Sequence, residues 1–572
     1  MSLDQAAQER HVSTEVLVIG TGGAGLRAAI ELSELGRDVL AVGKRPKADA
    51  HTSLAAGGIN AALATMDPED SWQQHAADTI RESYELAHPD IVQIVTQGAE
   101  QGIRDLGRYG MNFAREEDGR ISQRFFGAHT WRRTSFAGDY TGLEIQRTLI
   151  HRAEQLEIPV LGTVYITRLL VNEDGTVFGA YGFDQETGLR YVIQADAVIL
   201  AAGGHNRIWR RTSSRRNENT RDSFRLAAEA GAKIRDAELV QFHPSGILEP
   251  EADAGTLVSE AARGEGGILR NGLGERYMAR YDAERMELST RDRVALAGYT
   301  EIKEDRGTAN GGVWLDISHL PREVIMERLP RVYQTPMELQ MKDVTKEPIE
   351  IAPTAHYSMG GVWVAPEDHG TGVPGLHGAN RLGGNSLIEL LVFGRITGQA
   401  AARYSERLRV QRRSPEAVEA ARREVQELLA ADGEQNVRAL QRDIRNIMTE
   451  HCGVVRDVQG LTQGLAKLDD VERRAANIGV HPDLAGYSEL SHAFDLKSSI
   501  LAARATLQCA LERRETRGCH NRSDYPQQDP ALRVNMIWSA DGTVTREQIP
   551  PVPEGIRALM GGEVSQEGKL VE

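Results

Sequence analysis

The chain has 572 residues, 26% of them charged and 40% hydrophobic, an ordinary composition for a globular protein with more than one hydrophobic core. Its 67 basic and 82 acidic residues give a formal net charge of −15, which disfavours nucleic acid as a partner but allows a local basic pocket. The three cysteines form neither a disulfide framework nor a metal-binding cluster, which predicts a reducing cytoplasm and no metal site.

The first predicted element is a buried strand at 14–19, where an apolar, β-branched run leads into the turn GTGGAG at 20–25. A helix follows the turn, and a second strand at 38–42 completes a β-α-β unit. In this setting Gly20 allows a tight turn, Gly22 lets the backbone approach a pyrophosphate, and Gly25 lets the helix pack against the strand. The sequence therefore predicts a dinucleotide site.

Lys44 and Arg45 follow the second strand, where an NAD-binding fold usually carries an acid for the ribose, so an ordinary NAD site is disfavoured.

Further elements are predicted from periodicity and turn residues. They are helices within 80–109, an antiparallel excursion at 160–191, a buried strand at 197–204, helices at 416–430 and 437–448, and a strand with a tail from 537.

Several motifs accompany these elements in a fixed order. They are His51-Thr52, Gly57-Gly58, NTRD at 219–222, QFHPSG at 241–246, SEAARGEGG at 259–267, TRD at 290–292, APTAHYSMGG at 352–361, HGANRLGGNSL at 377–387 and RETRGCHNRSDYP at 514–526. Together with the glycine-rich turn, they resemble the flavoprotein subunit of succinate dehydrogenase and fumarate reductase. The resemblance runs from about 14 to 526.

The resemblance implies an α/β fold, with a two-part Rossmann-like FAD-binding domain that is interrupted by an α+β capping domain and followed by a helical domain. The implied boundaries are 1–239 for the first part of the FAD-binding domain, 240–355 for the capping domain, 356–405 for the second part, 406–526 for the helical domain and 527–572 for a C-terminal extension.

By the same resemblance the cofactor is FAD, which His51 carries covalently through the flavin 8α-methyl group. Asp222 would lie near the adenosine end, although Ser223 replaces the family's glycine after it. Backbone N–H groups at a helix start would stabilise the pyrimidine oxygen of the reduced flavin. The implied cofactor-binding residues are Gly20, Gly22, Gly25, Lys44, His51, Thr52, Gly57, Gly58, Asp222, Ser386 and Leu387.

A dicarboxylate needs cationic and hydrogen-bonding groups at both ends, and the planar fork of arginine suits a carboxylate. The resemblance assigns His243 and Ser259 to one carboxylate, with Ser259 standing where the family usually has threonine. It assigns His356 and Arg381 to the other carboxylate.

Arg291 is implied as the proton-transfer residue, fed through a relay by Glu260 and Arg263. The pKa of arginine normally prevents it from acting as a base. A relay that shifts the proton along a concerted chain would avoid a lasting neutral arginine.

The segment between Gly361 and His377 departs from the family pattern. The family inserts a further buried strand there, ending in a Gly-Glu pair whose carboxylate holds the ribityl chain of the flavin. This chain is short by roughly ten residues, about one strand with its connection. Three alternatives stay open: the protein compensates, its FAD-binding domain is compromised, or the sequence record is incomplete.

The sister family, L-aspartate oxidase, shares nearly every substrate motif but places a glutamate for the substrate ammonium group where Phe126 stands. A cation–π contact contributes about 0.5–2 kcal/mol, and desolvating an unpaired ammonium costs several times more. Phe126 and His51 therefore favour succinate and fumarate. Trp131-Arg132-Arg133 and Asp139 resemble the oxidase as much as the dehydrogenase.

The predicted function is interconversion of succinate and fumarate by hydride transfer at flavin N5, with electrons passed to an iron–sulfur subunit. The alternatives are a soluble L-aspartate oxidase and a flavin-binding subunit without turnover. No apolar run approaches the about 20 residues that span a bilayer, so a membrane anchor would be reached only through the partner. The predicted location is the cytoplasm, with the chain either free or peripheral at the cytoplasmic face of a membrane.

Overall fold

The computed structural model describes residues 8–125, 129–368, 370, 376–378, 385–482 and 486–561. The strands, in chain order, are β1 Glu9–Ile19, β2 Val39–Val42, β3 Ile59–Asn60, β4 Gln123–Arg124, β5 Thr134–Ser135, β6 Val160–Leu161, β7 Val164–Val171, β8 Val177–Asp184, β9 Arg190–Leu200, β10 Ile234–Arg235, β11 Val240–Ile247, β12 Ile268–Arg270, β13 Val313–Asp316, β14 Ile349–Ser358, β15 Gly361–Val362, β16 Leu376–Gly378, β17 Gln435–Asn436, β18 Val455–Arg456, β19 Ile478–Gly479, β20 Asn521–Arg522, β21 Val534–Trp538 and β22 Val544–Gln548. The α-helices are α1 Gly23–Glu34, α2 Trp72–Glu82, α3 Pro89–Arg108, α4 Thr141–Gln155, α5 Asp222–Glu229, α6 Ala261–Gly264, α7 Met278–Tyr281, α8 Arg291–Lys303, α9 Arg322–Arg328, α10 Pro330–Gln340, α11 Ser386–Arg407, α12 Pro415–Leu429, α13 Val437–His451, α14 Val458–Ala475, α15 Ser488–Glu512 and α16 Glu554–Met560.

The central sheet has the order β6-β2-β1-β9-β8-β7, and β1 is parallel to both of its neighbours. Val16 and Val18 pack in the core beneath α1 and α11, whereas Leu17 and Ile19 pack in the core on the opposite face with α5 and α15. A strand that is buried on both faces is apolar at every position rather than at alternate ones. This explains the continuous apolar run from which the first strand was predicted.

The predicted antiparallel excursion is present as β7, β8 and the first half of β9. Beyond it, β16 lies parallel to the end of β9, with Leu376 opposite Val198 and Gly378 opposite Leu200. A short strand therefore stands in the central sheet in spite of the shortened segment after Gly361.

A second antiparallel sheet, with the order β11-β14-β13-β12, lies within the predicted capping region. Its own core contains Ile247, Leu315 and Ile351, and it includes Val294 from α8. Helices α12 to α15 follow as a largely helical region, whose apolar stripes meet in a further core. The architecture is the predicted α/β one, with an α+β insertion and a helical region.

The C-terminal segment is not a separate tail. β21 pairs with β22 and with β10, and β10 pairs with β15, so a small sheet joins 534–548 to the region before the capping sheet. The strand begins at Val534, earlier than the predicted 537, and Trp538 is buried in the core that also contains Ile234. The domain boundaries stay predictions.

Candidate active site

The glycine-rich turn connects the end of β1 to the start of α1 and leaves no room for side chains at Gly20 and Gly25. Gly20 has a φ of +115°, and a Cβ there would lie 2.3 Å from the carbonyl oxygen of Ala201. A Cβ on Gly25 would lie 1.8 Å from the carbonyl oxygen of Gly20. At Gly22 the nearest protein atom, Thr52 Oγ1, is 3.4 Å away, so the protein itself does not require a glycine there. A glycine at this position would instead allow a pyrophosphate to approach the backbone closely.

His51 begins a short 3₁₀ turn, and its Nδ1 lies 3.0 Å from Glu218 Oε2. This contact leaves Nε2 as the ring nitrogen that can form a bond with a cofactor. Burial by itself raises the pKa of Glu218, but the hydrogen bond with His51 and the nearby Arg215 outweigh it and lower that pKa to about 2. The sequence analysis missed Glu218, because no motif contains it. The neighbouring Thr52 accepts a hydrogen bond of 3.0 Å from the Gly23 N–H at the start of α1.

Lys44 and Asp222 were predicted separately as cofactor-binding residues, and the structure pairs them with each other. Lys44 Nζ lies 2.6 Å from Asp222 Oδ2 and also contacts Thr220. Burial raises the pKa of Asp222, but the charge of Lys44 outweighs it, and the pKa falls to about 2. The hydroxyl of Tyr165 lies 2.9 Å from Asp222 Oδ1. Asp222 is therefore held as a carboxylate at the first residue of α5.

A cavity of about 700 Å³ is lined by residues of the capping region and by residues of the segment 51–58. Its volume is within the usual range of cofactor and ligand sites. Most of the predicted site residues line it. They are His51, Thr52, Gly57, Gly58, His243, Ser259, Glu260, Arg291, His356, Ser386 and Leu387. Gly20, Gly22, Gly25, Lys44, Asp222 and Arg263 are not in its lining, and Arg381 lies outside the described residues.

Two histidines face each other in this cavity, with the ring centroids of His243 and His356 separated by 5.3 Å. The Ser245 N–H lies 3.2 Å from His243 Nδ1 and donates to it, so in the neutral ring the proton is on Nε2. Burial and the positive charges of His356 and Arg291 lower the pKa of His243 well below its usual value. His243 is therefore a neutral hydrogen-bond donor. His356 is oriented by Ser213, whose Oγ lies 2.9 Å from Nδ1.

Arg291, Glu260 and Arg263 form a chain of charges at the wall of the cavity. Arg291 Nε donates to Glu260 Oε2 over 2.6 Å, and Arg263 Nη2 lies 3.8 Å from Glu260 Oε1. Burial raises the pKa of Glu260, but the two arginines outweigh it and the net shift is downward. Burial is the main cause that lowers the pKa of Arg263, whose Nε and Nη2 have no hydrogen-bond partner among the described residues. Sequence analysis predicted these three as one relay, and the structure places them in contact.

The N-terminus of α11 points its first backbone N–H groups at the cavity, with Ser386 and Leu387 in the lining. Asn385, which precedes the helix, is fixed by His75 at 2.8 Å and by Asn60 at 3.1 Å. Gln241 accepts a hydrogen bond of 3.3 Å from Arg291 Nη1. The sequence analysis gave Asn385 and Gln241 no role, although both stand in motifs that it quoted.

A dinucleotide cradle on a parallel sheet, next to a cavity with an oriented histidine and an arginine–glutamate pair, defines an FAD-dependent oxidoreductase. The family model described as "FAD binding domain" matches residues 15–387, and the one described as "Fumarate reductase flavoprotein C-term" matches residues 441–551. The chain is 40% identical to a subunit of the fumarate reductase (CoM/CoB) of Methanothermobacter marburgensis, over 91% of this chain and 96% of that protein. It is 35% identical to the succinate dehydrogenase flavoprotein subunit of Rickettsia bellii, over 91% of each chain.

The structure agrees with these relationships. Mycobacterium smegmatis Sdh1 in complex with UQ1 superposes with a TM-score of 0.87 at 36% identity, covering 96% of each chain. A quinol-fumarate reductase with menaquinol molecules superposes with a TM-score of 0.88 at 28% identity, covering 95% of this chain and 99% of that one. The chain belongs to the succinate dehydrogenase and fumarate reductase flavoprotein family.

This membership confirms the predicted fold class and FAD as the cofactor. The individual site residues stay predictions. None of the helices in the described ranges is long and apolar enough to cross a membrane.

Proposed function

We propose that this chain interconverts succinate and fumarate, and that Arg291 exchanges the proton that the reaction requires. The observation that carries the proposal is the contact of Arg291 with Glu260 at the wall of the cavity that His243 and His356 also line. FAD, when bound, supplies the hydride chemistry at its N5. His51, Thr52 and the glycines at 20, 22 and 25 would hold it, because Gly20 and Gly25 exclude side chains from the turn and no protein atom crowds Gly22, where a pyrophosphate would approach.

The substrate carboxylates are bound by neutral donors and by cations. His243 donates from Nε2, since its Nδ1 is occupied by Ser245, and Ser259 also lines the cavity. His356 would serve the second carboxylate, together with Arg381 as the sequence resemblance implies. Neutral donors at one end and a guanidinium at the other orient the substrate along the cavity.

Proton transfer is assigned to Arg291 because a short hydrogen bond links its guanidinium to a carboxylate. Glu260 can return a proton to Arg291 as Arg291 gives one up, so a neutral arginine need not accumulate. Arg263 stabilises the ionised Glu260 from the other side, at 3.8 Å. In this arrangement Arg291 is the proton source for the substrate carbon, and Glu260 restores the proton that Arg291 gives up.

Electrons reach or leave the flavin through an iron–sulfur partner in this proposal. Iron–sulfur clusters are usually held by four cysteine thiolates, and the chain has three cysteines, all of them buried singly. Two structural neighbours that contain a quinone or a quinol support a partner that connects the flavin to a quinone pool at a membrane.

Succinate should be oxidised with an artificial electron acceptor much faster than aspartate is oxidised with oxygen. A buried, unpaired ammonium group would cost several kcal/mol, and Phe126, which stands where the oxidase has a glutamate, lies outside the described residues. Initial rates of the purified, flavin-loaded protein with the two substrates test this directly. Faster aspartate oxidation with imine release would contradict this proposal and support the alternative, an L-aspartate oxidase.

Two residues that resemble the oxidase do not favour it in the structure. Arg133 is fully buried and bonds Asp70 at 2.8 Å and Asp78 at 2.7 Å. Asp139 accepts a hydrogen bond of 2.9 Å from the Arg331 N–H of α10. Both are explained by folding contacts, so neither discriminates between the two activities.

Changing His51 to alanine should abolish covalent flavin attachment while the protein still folds. The reason is that Nε2 is the ring nitrogen that Glu218 leaves available. After acid precipitation of protein matured in its own host, flavin fluorescence should remain with the wild-type pellet and pass to the supernatant in the variant. His151→Ala, on the exposed face of α4, is the control and should keep its flavin. Complete release from the wild-type protein would contradict the assignment.

A further inference from the structure

A second, smaller cavity lies behind the proton-transfer residue. Its volume is about 140 Å³, and Gln241, Glu260, Arg291 and Asn385 line both this cavity and the larger one. These four residues therefore form a partition between the two cavities. On the far side of the partition, the lining contains four acids that the proposed reaction does not use: Glu82, Asp292, Asp78 and Asp236.

Glu82 is the last residue of α2, and it lies close enough to Arg291 for their charges to interact. No described residue donates a hydrogen bond to its carboxylate. The charged groups that act most on it are Asp292, Arg291, Arg81 and Glu260. Besides its other acids and Tyr84, the lining also contains the ionisable side chains of His88, His129, Arg235 and Arg517. Asp292 is itself engaged, because it accepts a hydrogen bond of 2.7 Å from the hydroxyl of Tyr84.

The small cavity has the properties of a water-filled one. Thr290 Oγ1 and Asn535 Oδ1, both from lining residues, are buried and have no hydrogen-bond partner among the described residues. Buried oxygens of this kind are usually satisfied by ordered water, and the volume holds several water molecules. The lining residues Glu82, Ser83 and Tyr84 are partly exposed.

We propose that Glu82 exchanges protons with Arg291 through water in this cavity, as a second route beside Glu260. The inference rests on the proposed function of Arg291. When the substrate takes a proton from Arg291, a proton passes from the Glu82 carboxyl group through water to the guanidine, and Glu82 is left as a carboxylate. Solvent water then returns the proton to Glu82. Each step moves one proton and no electrons, and the reverse sequence serves succinate oxidation.

The electrostatics of the cavity agree with this role. Burial, and next to it the negative charge of Asp292, raise the pKa of Glu82 to about 8, while Arg291 opposes the shift. Glu82 therefore carries a proton at neutral pH and can release it and regain it there, as a proton relay requires. Glu260, whose pKa is lowered, is held as a carboxylate. The two acids that act on Arg291 thus stand in opposite protonation states.

Glu82→Gln should lower the rate of fumarate reduction about tenfold, less than the about 10²–10⁴-fold loss typical for a general acid, because the Glu260 route remains. The wild-type rate should fall as the pH rises through about 8, and this fall should be absent from the variant. Glu69→Gln is the matched control, since Glu69 is an exposed carboxylate just before the same helix. An unchanged rate with an unchanged pH profile in Glu82→Gln would overturn the proposal.

Infrared difference spectra of the flavin-loaded protein, recorded between about pH 6 and pH 9, give a readout that does not depend on turnover. Two carboxylic acid bands should titrate in the wild type, since burial also raises the pKa of Asp236 to about 7. The band of Glu82 should vanish in Glu82→Gln and shift in Arg291→Gln, while the band of Asp236 remains in Glu82→Gln. The proposal would be overturned if no band vanished in Glu82→Gln, or if the band of Glu82 did not shift in Arg291→Gln. A wild type that turns over neither succinate nor fumarate would instead overturn the proposed function, and the spectra would still report whether Glu82 and Arg291 are coupled.

Discussion

Replacing Arg291 with glutamine should lower kcat by about 10²–10⁴-fold, the range typical for removal of a general acid or base, while dicarboxylate binding stays measurable. Arg291 donates to Glu260 over 2.6 Å at the cavity wall, and an amide cannot take up and release a proton as a guanidinium in a relay can. A group that acts mainly in the transition state affects kcat more than ground-state binding. Steady-state kinetics with succinate and with fumarate, together with a binding titration, separate the two effects.

Arg293→Gln is the matched control for this experiment. Arg293 lies on the same helix, two residues further on, is largely exposed, and reaches Asp282 only at 3.6 Å. Its replacement should leave kcat nearly unchanged, because Arg293 lines neither cavity and its exposed ion pair contributes at most about 1 kcal/mol to stability. The role of Arg291 is wrong if Arg291→Gln keeps near-normal turnover, or if its whole effect is an increase in KM.

Replacing Arg513 with leucine should destabilise the folded protein by about 3–5 kcal/mol, the usual cost of breaking a buried ion pair. Arg513 is fully buried at the end of α15, where Nε donates to Glu238 Oε1 over 2.6 Å. Its Nη atoms lie 3.2 Å from Asp236 Oδ1 and 3.2 Å from Glu515 Oε1. Leucine would leave these three acids buried without the positive charge of Arg513 beside them. A loss of about 3–5 kcal/mol is a large part of the free energy of unfolding of an ordinary domain.

Urea unfolding at several pH values measures this effect. Burial and the charge of Glu238 raise the pKa of Asp236 to about 7 from 3.8. The folded protein therefore holds a proton on Asp236 that the unfolded chain releases, so this group's contribution is present below about pH 4 and is lost as the pH rises through about 7. Arg513→Leu should be most destabilising above neutral pH and less so in mild acid.

The control for this variant is Arg504→Leu on the same helix. Arg504 pairs with Asp469 at 2.8 Å and with Glu472 at 2.7 Å, and both acids are about half exposed. Surface pairs of this kind contribute about 0–1 kcal/mol each. If Arg513→Leu is no more destabilising than Arg504→Leu, the acids around Arg513 are compensated by other cations, such as Arg517.

Short-range patterns predicted much of the architecture. The run at 14–19, the glycines of the turn and the second strand are all present as β1, the start of α1 and β2, because local sterics and burial alone specify them. Predicted helices at 416–430 and 437–448 appear as α12 and α13, with their ends shifted by at most three residues. The C-terminal segment was predicted less well, since its pairing with β10 is a long-range contact that no local pattern contains.

The sequence by itself determined the strand–turn–helix of the dinucleotide cradle, because glycine geometry and hydrophobic period are written in neighbouring positions. Its motifs, through their resemblance to a family, also indicated FAD as the cofactor. Only the tertiary structure decided which side chains act on one another. Glu218 orients His51, Lys44 is paired with Asp222, and Glu82 lies behind Arg291 across a second cavity. The physical reason is that the charge state of a buried group depends on burial and on charges brought from distant parts of the chain, which become neighbours only when the chain folds.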